Sequence, residues 1–155
     1  MVTIRQKILD ALQARMETIY PDDVYQGRTI FDPDVDRLPL VTIVAGVETS
    51  ARTAYRTNSR EMPVEVSALI SLGGDNDTGV ETYKDVTAAC EPIYGQIEQA
   101  CFHGGSEIKI GDDYYQIEFR GGGIVDYPSE PGPAIVTVGV SLAVTYETEI
   151  GDPTK

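Results

Sequence analysis

From Pro133 to Ile150 the chain alternates without interruption between large apolar residues and small or polar ones. Val136, Val138, Val140, Leu142, Val144 and Tyr146 share one face, and Thr137, Gly139, Ser141, Ala143, Thr145 and Glu147 share the other. A period of two over this length, in β-branched residues with no internal proline, predicts a long strand buried on one side. Such a half-solvated strand belongs to an antiparallel or mixed sheet, because all-parallel sheets are apolar on both faces. The small face then either meets water or lies close to something else.

The rest of the pattern supplies a sheet for that strand to join. Thr3 to Ile19 predicts an amphipathic helix, with Ile4, Ile8, Leu12, Met16 and Ile19 on one stripe. Leu9 and Ala11 widen the stripe, while Arg5, Gln6, Lys7, Asp10 and Gln13 face out. Thr3 and Gln6 make a capping box, and Pro21-Asp22 ends the helix. Val24 to Phe31 predicts a short edge strand broken by Gly27, followed by a loop from Asp32 to Pro39. Leu40 to Thr49 predicts a central strand, and Met62 to Leu72 another with Val64, Val66, Ala68 and Ile70 on one face. Between them, Ser50 to Glu61 lacks a core pattern and predicts a projecting loop or extended hairpin arm.

A second helix runs from Thr78 and Glu81, a capping pair, toward Cys101, through Val80, Tyr83, Val86, Cys90, Ile93 and Ile97. Pro92 is expected to kink or split it. Ser106–Ile110 and Tyr114–Arg120 flank a hairpin turn at Gly111-Asp112-Asp113, and Gly121 to Gly123 marks a bend or bulge. Pro128 to Pro133 leads into the last strand, and residues 148–155 read as a frayed tail. The order predicts a single α+β domain over residues 1–155. It has one mixed, mostly antiparallel sheet, two helices packed on one face, and the projecting arm.

Composition narrows the functional classes. With 25 acidic against 12 basic residues, the net charge is -13, and the isoelectric point is near 4.3. That opposes a basic nucleic-acid surface and attraction to anionic lipid. No apolar run reaches the roughly 18 residues of a membrane span. The opening MVTIRQKILDAL has no signal-peptide h-region. Two cysteines, Cys90 and Cys101, imply a reducing assembly site rather than a disulfide framework. At helical rise they stand about 16 Å apart, too far to bridge.

Candidate chemistry is sparse. His103, the sole histidine, sits by a glycine turn, where a loop residue near a helix C-terminus is a better reading than a general base. Asp32, Asp34 and Asp36 imitate the start of a calcium loop, but Arg37 stands at the glycine position and Ile43 at the glutamate position. Asp75-Asn76-Asp77-Thr78-Gly79 likewise lacks the closing glutamate. Gly121 to Gly123 has no Lys-Ser/Thr after it and is not a phosphate loop. The residues therefore assign no catalytic, cofactor or metal site. What does concentrate is positive charge: Arg52, Arg56 and Arg60, with Tyr55 among them, lie on the arm of an acidic chain. Arg and Tyr are enriched at protein interfaces, so the arm is expected to contact a neighbouring subunit or another acidic partner. The alternative is a solvated arm with no partner.

The layout, TIRQKILDALQARM, LPLVTIVAGVE, ARTAYRTNSRE, MPVEVSALISL, VETYKDVTAAC, YYQIEFR and SLAVTYETE in order, resembles the tail terminator (tail completion) proteins of tailed bacteriophages. The resemblance spans nearly the whole chain, and Pro92 has no counterpart in it. It implies a structural protein, not an enzyme, that assembles into a hexameric ring. Such a ring caps the tail tube, stops its polymerisation and meets the neck or connector protein at the head-proximal end of the virion, after assembly in the host cytoplasm. An acidic bore would let DNA pass without specific binding. Another neck or head-closure component, or a small α+β enzyme or ligand-binding domain, are the alternative readings.

Overall fold

The computed structural model describes residues 1–27, 38–75, 83–103, 105–126 and 133–155. Helix α1 spans Ile4–Glu17 and buries Ile4, Ile8, Leu12 and Met16, the predicted stripe. Thr3 Oγ1 accepts the Gln6 N–H at 3.2 Å, which is half of the capping box. The Gln6 amide instead donates to Asp10 and to Gln26, so this face of α1 is used to hold a neighbouring strand.

That neighbour is β1 (Val24–Gln26), followed by β2 (Leu40–Ala45), β3 (Thr49–Arg52) and β4 (Thr57–Asp75). Helix α2 (Tyr83–Cys101) comes next, then β5 (Glu107–Ile110), β6 (Asp113–Asp126) and β7 (Pro133–Glu149). The sheet order is β1-β2-β4-β7-β6-β5, with β3 also paired to β4. Only β1 and β2 run parallel among these described pairs. The mixed, mostly antiparallel α+β sheet is the one predicted.

Strands β4 and β7 form its centre. Val64, Val66 and Ala68 stand opposite Leu142, Val140 and Val138, and all six are buried beneath the helices. Helix α2 packs on β4, β6 and β7, while α1 packs on β1, β2, β5 and α2. Arg15 fastens the layers: its guanidinium donates to the Cys101 carbonyl and, at 2.9 Å, to the Glu107 carbonyl. Helix α2 has no basic residue of its own in its last turn, so the charge its C-terminal dipole favours comes from α1.

Four elements differ from expectation. The strand predicted from Leu40 to Thr49 breaks after Ala45. Pro63 on β4 offers no N–H to that edge and only accepts from Gly46, at 2.8 Å. A Cβ on Gly46 would lie 2.9 Å from the Pro63 ring. The chain therefore steps out through Val47, 88% exposed, and rejoins β4 as β3.

Pro92 neither splits α2 nor ends it, and the helix runs from Tyr83 to Cys101. Ala88, whose carbonyl loses its partner, and Pro92 are both exposed, where solvent can take the missing bond.

Third, residues 148–155 are tied down rather than frayed. The Ile4 N–H donates to Pro153 O at 3.0 Å, Glu149 N–H to Lys155 O at 2.7 Å, and Asp152 accepts from Thr154. One of the unpaired N–H groups at the start of α1 is thereby satisfied.

Fourth, Arg5 does not face solvent alone but reaches Glu48, as described below.

The turn before β6 follows the prediction, with Gly111 at φ 63 in a two-residue loop. So do the glycines of β6, where the register shifts between Phe119 and Gly121 and again between Ile124 and Asp126. The Thr78–Glu81 cap, the aspartates at 32, 34 and 36, and the loop before Pro133 lie outside the described residues.

Val140 is 1% exposed on the central strand. Val140→Asp should cost about 4 kcal/mol or more by placing an unpaired carboxylate in the core. Denaturant melts should find it largely unfolded, and a wild-type midpoint would mean that β7 faces the other way.

Candidate functional site

The segment predicted as an arm is a hairpin. Strand β3 pairs with β4 from Thr49↔Glu61 to Arg52↔Asn58, and Thr53 to Arg56 form the tip. The tip is tethered at both sides: Thr53 N–H donates to Thr57 O at 3.0 Å, and Ile150 N–H to Arg56 O at 2.8 Å. Because Thr57–Glu61 also pairs with β7, the hairpin continues the main sheet instead of hanging from it.

The four predicted interface residues divide into two groups. Arg52, Tyr55 and Arg56 lie together at the tip. Tyr55 is 80% exposed, and the guanidinium carbons of Arg52 and Arg56 each stand 5.9 Å from its ring centroid. That distance is within the range of cation–π attraction. Arg52 also donates to the carbonyls of Ala54 and Tyr55, at 3.2 and 2.9 Å, which fixes the turn. Among the described residues, neither arginine reaches a carboxylate at salt-bridge distance. Ile150, 51% exposed, lies beside them.

Arg60, the fourth residue expected at an interface, is not part of this tip. It pairs with Tyr146 across β4–β7 and so points to the helix side. There its guanidinium meets Glu48 at 3.2 Å and Thr148 at 3.0 Å. Arg5 approaches the same carboxylate at 3.2 Å, and Tyr146 donates its hydroxyl to it. Glu48 thus gathers α1, β4 and β7 on one acid, its side chain 14% exposed. The signal was present in the sequence. Arg60 is in register with Met62 and Val64, so the same alternation that buries them turns Arg60 inward. Glu48 and Arg5 have no such signal, because the step at Gly46-Val47 sets the direction of Glu48.

Burial, followed by the hydrogen bond to Glu48 and the charge of that carboxylate, holds the Tyr146 hydroxyl well above the ordinary tyrosine range. Burial likewise pushes the Cys101 thiol from an ordinary 9.0 to about 12, with Arg15 pulling weakly the other way. Cys90 and Cys101 are both buried, and no disulfide joins them. His103 is exposed, and its backbone N–H closes the end of α2 onto Ala100. Among the described residues no group of three or more His, Cys, Asp or Glu could hold a metal ion. No helix among them is long and apolar enough to cross a membrane.

The face of the sheet away from the helices carries a second feature. A groove of about 170 Å³ is lined by Glu65, Ser67, Gly123, Val125, Gly139 and Ser141, among others. The bulge in β6 swings Val125, 63% exposed, over Gly139. A Cβ at Gly139 would stand 2.8 Å from Ser67 Oγ and 3.1 Å from Val125 Cγ2, so the groove needs glycine there. Ser141 donates to Glu65 at 3.3 Å, and Glu65 has no cation at salt-bridge distance among the described residues. The sequence marks this face as small but does not show the concavity.

A scan against known protein families finds no matching model, and a search of curated proteins finds no significant match.

Two stability outcomes follow from the Glu48 cluster. Arg60→Ala should cost about 1–3 kcal/mol, discounted for its partial exposure, because it strands part of a half-buried carboxylate. Arg52→Ala and Arg56→Ala should each stay within about 0.5 kcal/mol in the same denaturant melts. Equal losses at all three would place Arg60 back at the tip.

The second outcome concerns pH. Well below pH 9 Cys101 and Tyr146 are protonated in both folded and unfolded chains. Above their ordinary values of 9.0 and 10.0 the unfolded chain releases protons that the folded chain retains. Stability should therefore fall as pH rises through that window. Tyr146→Phe should flatten the slope above pH 10, and an unchanged slope would mean that Tyr146 is not buried against Glu48.

Proposed function

We propose that this chain is a structural ring protein of a phage tail, a tail terminator that caps the tail tube and joins it to the neck. One observation carries the proposal. Tyr55 stands out from the body between two guanidiniums that have no carboxylate partner among the described residues, on a chain of net charge -13. Aromatic and arginine side chains presented together on a preordered hairpin are the composition of a binding hot spot. In so acidic a population of molecules, the nearest acidic partner is another copy or a tube subunit. The layout of helix, paired strands, hairpin, helix and long final strand supports the terminator reading within that class. A neck or head-closure component would use the same tip but would not act on the tube.

Tube polymerisation tests this. Purified chain added to polymerising tail tube protein should give shorter tubes with a distinct cap at one end in electron micrographs. Arg52→Glu/Arg56→Glu should keep its fold, since both groups are exposed, and should lose capping. Unchanged tube lengths and bare ends with the wild-type chain would overturn the terminator reading.

A further inference from the structure

The hairpin tip and the groove on the open face are complementary, and they cannot meet within one molecule. Both lie along the same continuous strand: the tip precedes Thr57, and the groove flanks Glu65 and Ser67. Ten residues of extended strand hold them about 30 Å apart. The tip has an exposed aromatic ring and two guanidiniums with no carboxylate at salt-bridge distance among the described residues. The groove has a carboxylate, Glu65, with no cation at salt-bridge distance among the described residues, beside an open space of about 170 Å³ rimmed by Val125 and Ser141.

We infer that Tyr55 of one copy seats in the groove of the next, between the Val125 rim and Ser141, with Arg52 and Arg56 meeting Glu65 there. This rests on the self-assembling reading above and specifies its interface. The two patches are different surfaces of the same chain, so the contact is head-to-tail. Repeated, such a contact gives a ring when its rotation closes, the case the self-assembling reading requires, whereas a two-fold dimer would need one self-complementary patch. The guanidiniums already flank the Tyr55 ring, so little rotamer freedom remains to be lost on docking. At the groove, Glu65 needs only to exchange solvent for a guanidinium pair. The arginines also give the contact a direction, because like-charged acidic faces repel in every other orientation.

Cysteine trapping between two distinguishable copies tests the contact. Ala54→Cys at the tip leaves Tyr55 in place, and Val125→Cys sits at the groove rim. One variant carries a mass tag, and the two are mixed under mild oxidation in low salt. The native thiols are buried, and Gln99→Cys on the exposed side of α2 serves as the control position. The expected product is the tagged-untagged disulfide at Val125→Cys, in at least roughly tenfold excess over the control. Adding Glu65→Arg to the rim variant should remove that excess. Pairing it with a tip variant carrying Arg52→Glu/Arg56→Glu should restore it. Assembly that persists with trapping no better than at Gln99→Cys, or with Glu65→Arg having no effect, would overturn the tip-and-groove contact and leave the ring standing. A chain that stays monomeric and untrapped overturns both.

Discussion

Strands β4 and β7 pair antiparallel from Thr57↔Glu149 to Ile70↔Val136, and each other element takes its place from that ladder. Because a strand alternates its faces, one register decides at once which side chains enter the core. Met62, Val64, Val66 and Ala68 meet Val144, Leu142, Val140 and Val138, giving α2 an apolar floor. Slipping the register by one residue would turn that whole set toward water. Both flanks then have a template: β2 and β3 extend the sheet from β4, and β6 extends it from β7. The same ladder runs past the core to Thr57, which is why the hairpin is an extension of the sheet and why its tip stands so far from the groove.

Where the ladder leaves the core, charge replaces apolar packing. Arg60 and Tyr146 continue the inward alternation into a region α1 covers only partly, and Glu48 meets them with Arg5. A carboxylate this sheltered is tolerable only with its partners in place. Removing one partner costs more than the cluster adds, since the remaining charge is left desolvated. The cluster also links α1 to the base of the hairpin, although none of its members belongs to the tip.

Much of this was legible in the residues. The alternation in β7 and the stripe of α1 are each produced by one buried face, and a periodic signal of that kind survives in sequence. The hairpin turn at Gly111 was legible because a left-handed turn selects glycine. Arg60 was grouped with the tip because its charge outweighed its register, which turns it to the helix side. Arg5 was read as solvated because a helical wheel cannot show where a long side chain ends. The tethered C-terminus left no pattern, since the bonds at Pro153 and Lys155 are made by backbone groups. The groove was illegible for a related reason: a bulge, not a residue type, swings Val125 over Gly139. Of the four predicted interface residues, Arg52, Tyr55 and Arg56 do come together, and what they face was beyond any reading of one chain.

The proposed function requires that copies of this chain, each an acidic body with a cationic, aromatic tip and an acidic groove, assemble head-to-tail into a closed ring. Native mass spectrometry of the wild-type chain across concentration measures this most directly. The account predicts one dominant closed species near six times the 16.9 kDa chain mass, giving way to smaller species as salt is raised. A single peak at 16.9 kDa at every concentration and ionic strength would contradict it.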